Sequence, residues 1–442
     1  MNMKRFAFVA ALFIATSGFA IGPTTKANDD SCDIALQPAA TLLLPHFEVD
    51  FTDPGSHTTL FSVTNVTNLS RIARVTLWTD FSYPVLSFNI YLTGYDVQSI
   101  NLYDVIANGV IAGGSGTGPF SDPNPDLDLS SCANAPSVIP PAFVTRIQEA
   151  FTLGIDGNTC HNIGHAHEHA VGYATIDVVG NCSTATPADA EYFTTDIRYD
   201  NVLAGDYQQL DNRAKHAQLS PMVHIRAIPE GGTHASRKAN PAAFANRFSR
   251  TFYGRFQTMA SGFNSDARQP LPSRFATRWI NGGAGGFETA FKIWRQSATG
   301  RDINCATIDD NGGIGVADSV VFDENENGEG IVPPDACFIC FPFDEQALPT
   351  TSLTSIADSE VFPQSVTATS VAGWLYVNLD DGNTGNGAHQ GWLVASMRAG
   401  TYSGDMDAVA LGNGCSPAVG DAEASEGGSV VIGPSPNGEP EP

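Results

Sequence analysis

The chain has 442 residues and a formal net charge of −25. At roughly 150 residues per domain it has ample core for two or three domains, which excludes a fold that depends on disulfides alone. The charge is uneven: Arg213 to Arg301 holds 14 basic and 3 acidic residues, a net of +11, whereas Asp302 to Pro442 holds 1 basic and 22 acidic, a net of −21.

Lys4 and Arg5 precede an apolar run from Phe6 to Phe19, with small residues at Ala20 and Ala27. This is the pattern of a cleaved export signal over residues 1–27, and the run is too short for a permanent membrane helix. No Leu-x-x-Cys lipidation pattern precedes Cys32, so the expected product is periplasmic or extracellular, without a transmembrane anchor. Export also gives the eight cysteines their meaning, because an oxidising compartment favours pairing of an even set. Four bridges are expected, and proximity in sequence suggests Cys160 with Cys182.

From Thr58 to Leu102 the chain reads as successive strands. Thr59, Phe61 and Val63 alternate with polar residues, as do Ala73, Val75 and Leu77, then Phe88, Ile90 and Leu92, then Ile100 and Leu102. Short strands without a helical period between them predict a mainly β protein, with an antiparallel β-sandwich over residues 32–112. That segment resembles an immunoglobulin-like domain in architecture only, since no cysteine stands at the required distance on either side of Trp78.

Residues 113–141, rich in Gly, Ser, Asp, Asn and Pro, read as a linker or long loop before a β-rich second domain over 142–415. Pro141 to Leu153 reads as a helix, with Phe143, Ile147 and Phe151 spaced by four. Strands follow at Val171 to Val179 and Met222 to Ile228. Phe244, Phe248, Phe252 and Phe256 recur every four residues behind Asn240 and Pro241, which predicts a helix near 241–259. Gly282 to Gly286 breaks the chain, and further short strands are expected at Ser319 to Phe322, Gly373 to Leu379 and Gly391 to Met397. Residues 416–442 have the composition of a disordered acidic tail.

Three segments are candidates for chemistry. Residues 160–169 hold four of the ten histidines, and on a strand His165, His167 and His169 would share one face. Three imidazoles suit zinc or copper and leave a coordination position open, with Glu168 as a potential general base. The zincin spacing fails, because His169 follows Glu168 directly where two residues should intervene. The plainer reading is a solvated histidine loop. Asp323, Asn325 and Asn327, followed by Gly328, match the first half of a calcium loop, but the twelfth position is Pro334, so the alternative is an acidic surface turn. Cys337 and Cys340 have C-x-x-C spacing, and Pro342 argues against a redox helix beginning there.

Phosphate loops, dinucleotide fingerprints and a nucleophile elbow are absent from the sequence. A non-enzymatic envelope or extracellular structural or binding module is therefore the first expectation, with a metal-dependent hydrolase using His161 to His169 as the alternative. A third reading assigns the 213–301 segment to an acidic polysaccharide, through Arg247, Arg250, Arg274, Arg278 and Arg295. Its plain counterpart is that this segment packs beside the acidic one and neutralises it.

Overall fold

The computed structural model describes residues 34, 36–112, 124–132, 138–157, 160–189, 191–213, 215–227, 251–253, 266, 268–296, 318–331, 350–357, 362, 364–379, 390–400 and 402–411. The expected export signal, the acidic tail, Arg247, Arg250 and five of the cysteines lie outside these residues. Most of the 241–259 helix also lies outside them; at Thr251 to Tyr253 the chain forms a turn, with Phe252 and Tyr253 buried.

The molecule is mainly β, and the sheets among the described residues are antiparallel. In chain order the strands begin with β1 (Thr41–Val49), β2 (His57–Asn65), β3 (Arg71–Thr79), β4 (Pro84–Leu92) and β5 (Val97–Asn101). After helices α1 (Leu102–Asn108) and α2 (Pro141–Leu153) come β6 (Ile155–Asp156), β7 (Cys160–His161), β8 (Ala170–Val179), β9 (Leu203–Asp211), β10 (His216–Pro221) and β11 (Val223–Ile225). The C-terminal part contributes β12 (Arg274–Ile280), β13 (Glu288–Arg295), β14 (Asp318–Asp323), β15 (Gly328–Ile331) and β16 (Thr350–Ser355). Helix α3 (Gln364–Thr369), β17 (Ala372–Asn378), β18 (Gly391–Ala399), β19 (Tyr402–Asp407) and β20 (Val409–Ala410) complete it.

Two pairs of facing sheets result. The first pairs β11-β1-β8-β3-β4 with β10-β9-β2-β5, and the second pairs β15-β14-β17-β12-β20 with β16-β13-β18-β19. The period-two residues of β2, β3 and β4 point into the first core, where Phe61, Val63, Val75, Leu77, Phe88 and Ile90 are buried together. β1 is apolar without alternation at Leu42, Leu43 and Leu44 because both of its faces are covered. Leu42 and Leu44 join the first core, while Leu43 joins the second with Trp78, Tyr173, Phe291 and Trp294.

The first sheet pair draws on chain beyond residues 32–112. β8 lies between β1 and β3, and β9 pairs along the whole of β2, so residues 170–225 complete the first sheet pair. Sequence proximity hid this because the paired residues are more than ninety positions apart in the chain. The described part of the expected linker is tied down: Asn124 donates to the Ser70 carbonyl at 3.0 Å, the Asp128 amide to the Gly180 carbonyl at 2.8 Å, and Cys132 bonds Cys182. That bridge corrects the Cys160 to Cys182 expectation. A cysteine forms one disulfide, and Cys182 is taken by Cys132. Cys160 is itself disulfide-bonded, at the other end of β8.

α2 forms over Pro141–Leu153, with proline in its first turn and Gly154 in the left-handed conformation closing it. Val144, Ile147, Ala150 and Phe151 are buried, whereas Phe143 faces outward. Among the described residues, no helix is long and apolar enough to cross a membrane.

Candidate functional site

The histidine segment is not a strand. After β7 the chain runs as a loop over residues 162–169 before entering β8, and it is strapped to the end of α2 and the end of β3. The Ile163 amide donates to the Gly154 carbonyl at 3.0 Å, and the His167 amide to the Thr152 carbonyl at 2.9 Å. Thr79 donates through its hydroxyl to the Ile163 carbonyl. Gly164 is required here, because a Cβ at that position would stand 2.7 Å from Asp80 Oδ1.

This strapping delivers two imidazoles to one carboxylate. His165 Nδ1 lies 2.6 Å and His167 Nε2 3.0 Å from the same Asp80 Oδ2, and the His165 amide donates to Asp80 Oδ1 at 3.1 Å. Asp80 is buried with 3% of its side chain exposed, while His165 is 47% exposed, so the cluster opens to solvent on one side. Burial pushes the Asp80 carboxyl up, but the hydrogen bonds from His165 and His167 outweigh it and hold it below the usual range. Phe81 meets the His165 ring edge-on at 4.3 Å.

His169 does not join them. Its Nδ1 is 2.7 Å from Glu48 Oε1 and its Nε2 3.7 Å from Asp50 Oδ2, and its ring lies 5.3 Å from that of His57. The expected three-histidine face is thus divided between two His-His-carboxylate groups. These are Asp80, His165 and His167, and Glu48, His57 and His169; in each, one ligand atom per residue lies within 4.8 Å of the others. A loop lacks the strict alternation of a strand, and successive histidines turn toward different strand ends. Nearby, His46 is buried on β1 and driven down to a pKa of about 3 by desolvation and the Lys292 ammonium, so its imidazole is neutral.

Asp80, Glu48 and His57 were not evident from the sequence. The only trace was the alternation of His46, Glu48 and Asp50 through the end of β1, which a strand places on one face.

Asp323 occupies a tight turn between β14 and β15. Its Oδ1 accepts from the Asn325 and Asn327 amides at 2.8 and 2.9 Å, and its Oδ2 accepts from Asn327 Nδ2 at 2.8 Å. Hydrogen bonds from Asn327 and Asn325 lower its pKa, and its oxygens cap the turn's own donors.

Two buried cations among the described residues of the 213–301 segment face acids. Arg268 lies 3.3 Å from Asp266 and 3.7 Å from Asp177, and Lys292 is 2.5 Å from Asp405. Arg295 is also buried, and Arg278 lies over the Trp374 ring at 4.7 Å.

Comparison of the sequence with protein-family models and with curated proteins finds no match.

Proposed function

We propose that this protein is an exported, non-enzymatic binding module built on two β-sandwiches, the first immunoglobulin-like in architecture, and that it holds a divalent transition ion at Asp80, His165 and His167. The observation that carries the reading is the convergence of His165 Nδ1 and His167 Nε2 on a single buried carboxylate oxygen. Two imidazole nitrogens and one carboxylate oxygen form a donor set suited to zinc or copper. The carboxylate is also held in place, because the His165 amide donates to both of its oxygens, at 3.1 Å to Oδ1 and 3.3 Å to Oδ2. Export is supported by the basic and apolar N-terminal pattern and by the paired cysteines Cys132 and Cys182.

A hydrolase is the second reading, favoured by the exposure of His165 and by exposed Glu168 on the same loop. Three protein donors leave room for a metal-bound water, and Glu168 would serve as its base.

Elemental mass spectrometry of the purified mature protein, after dialysis against a weak chelator, tests the metal. Zinc or copper retained by the wild type and diminished in the His165→Ala/His167→Ala variant supports the proposal; an identical metal content in both removes it. Turnover of ester or phosphoester probes that vanishes in Glu168→Gln, with metal retained, would replace the binding module by the hydrolase.

A further inference from the structure

We infer that Glu48, His57 and His169 form a second, independent site for a divalent transition ion, at the opposite end of the histidine loop from Asp80. The three residues come from different elements. Glu48 is near the end of β1, His57 begins β2, and His169 immediately precedes β8. β1 and β8 pair with Val49 opposite Ala170, so the next step in register sets Asp50 opposite His169. In the other sheet His57 stands directly opposite Asp211. The Asp50 amide donates to the His57 carbonyl at 2.9 Å and joins the two strand ends.

Each imidazole has an aspartate near its Nε2. His57 Nε2 lies 3.3 Å from Asp211 Oδ2, and His169 Nε2 lies 3.7 Å from Asp50 Oδ2. Each of those aspartates is fixed through its other oxygen by the amide two residues on: Asp50 Oδ1 accepts from Thr52 at 3.0 Å, and Asp211 Oδ1 from Arg213 at 2.9 Å. The Asp211 carboxylate on His57 Nε2 holds the proton there and leaves Nδ1 as the lone-pair nitrogen, which is how metal-ligating histidines are oriented in many proteins; His169 instead donates from Nδ1 to Glu48, and a metal ion would take the place of that proton. His57 Nδ1 is buried and has no hydrogen-bond partner among the described residues. His169 Nδ1 already meets Glu48 Oε1 at 2.7 Å.

An unpartnered buried imidazole nitrogen costs stability unless something accepts its lone pair, and a metal ion does so. Two nitrogens and one carboxylate oxygen match the preference of zinc over calcium or magnesium. The side chains of His57, Glu48 and His169 are 26, 23 and 19% exposed, which admits an ion from solvent. With three protein donors the fourth position of a tetrahedral ion is open to water or to an outside ligand.

The test is zinc chloride titrated into the full-length, chelator-stripped protein by calorimetry, with bound zinc counted by elemental mass spectrometry. Two zinc ions per chain are expected in the wild type. Glu48→Gln, nearly isosteric, and His57→Ala should each lose one ion, while His165→Ala/His167→Ala should lose the other. Should His57→Ala fail to fold, Glu48→Gln alone decides. Asp211→Asn is a positioning variant: it should weaken zinc at this site by about 10- to 100-fold without changing the count at saturation. Unchanged stoichiometry and affinity in Glu48→Gln would overturn the second site. A single ion lost in Glu48→Gln but kept in His165→Ala/His167→Ala would leave this site standing and remove the one at Asp80.

Discussion

Lys292 Nζ donates to Gln218 Oε1 at 3.1 Å, across the junction between the two sheet pairs. The same ammonium lies 2.5 Å from Asp405 Oδ2 and 5.8 Å from the centre of the Tyr207 ring, while Gln218 Nε2 donates to Ser396 Oγ at 2.6 Å. Both members of the ion pair are almost completely excluded from water, so removing one strands the other. Lys292→Met should cost about 3–5 kcal/mol, and adding Asp405→Leu should recover most of that. Urea denaturation of the double-mutant cycle measures it, and additive losses would disprove the coupling.

Asp407, beside this pair on β19, has a buried Oδ1 with no hydrogen-bond partner among the described residues. Burial lifts its pKa to about 6, Asp405 adds to the rise, and a hydrogen bond from Trp392 opposes it. The folded state therefore binds more protons than the unfolded state between about pH 4 and pH 6. Its contribution to stability is full below pH 4 and is lost as pH rises through 6, on the order of 3 kcal/mol by neutrality. Asp407→Asn should be insensitive to that change, so its stability relative to wild type should rise between pH 4 and 6.5. A difference that stays constant over this range would show that Asp407 is ionised throughout.

Gly172, near the start of β8, has no room for a side chain. A Cβ there would stand 2.1 Å from the Trp78 carbonyl oxygen and 2.8 Å from Phe47 Cζ. The nearest atom is backbone in a paired strand and cannot move alone, so Gly172→Ala should lose about 1–3 kcal/mol. Because Gly172 pairs with Thr79, next to Asp80, and follows His169 by three residues, the variant should also weaken zinc at both proposed sites. Thermal unfolding and zinc titration of one preparation would check both, and wild-type behaviour in each would contradict the close approach.

Cys132 and Cys182 are 50 residues apart in sequence. On the chain-entropy account, closing a loop of that size is worth about 4 kcal/mol, an upper figure because the Asn124 and Asp128 hydrogen bonds hold the same strap. The Cys132→Ala/Cys182→Ala variant should therefore unfold at lower urea with the zinc count unchanged. A loss of zinc would place the bridge in the support of the sites.

Much of the local structure was legible in the residues. Period-two alternation located β2, β3 and β4, an apolar run marked β8, spacing by four marked α2 from Pro141, and the glycines from Gly282 to Gly286 form the turn before β13. These features depend on contacts within a few residues or on which face meets water, and chain composition specifies both.

The partners of the histidine loop were not legible. Asp80 is 85 positions from His165, and Glu48 is 121 from His169; only the insertion of β8 between β1 and β3 brings them together. The same insertion separated Cys160 from Cys182 and drew residues 170–225 into the first sheet pair. Backbone alternation determines which side chains face inward, while sheet order determines whose inward faces meet. Sheet order is settled by the burial of β1 and β8 on both faces, a free energy shared by the whole molecule and carried by no single segment.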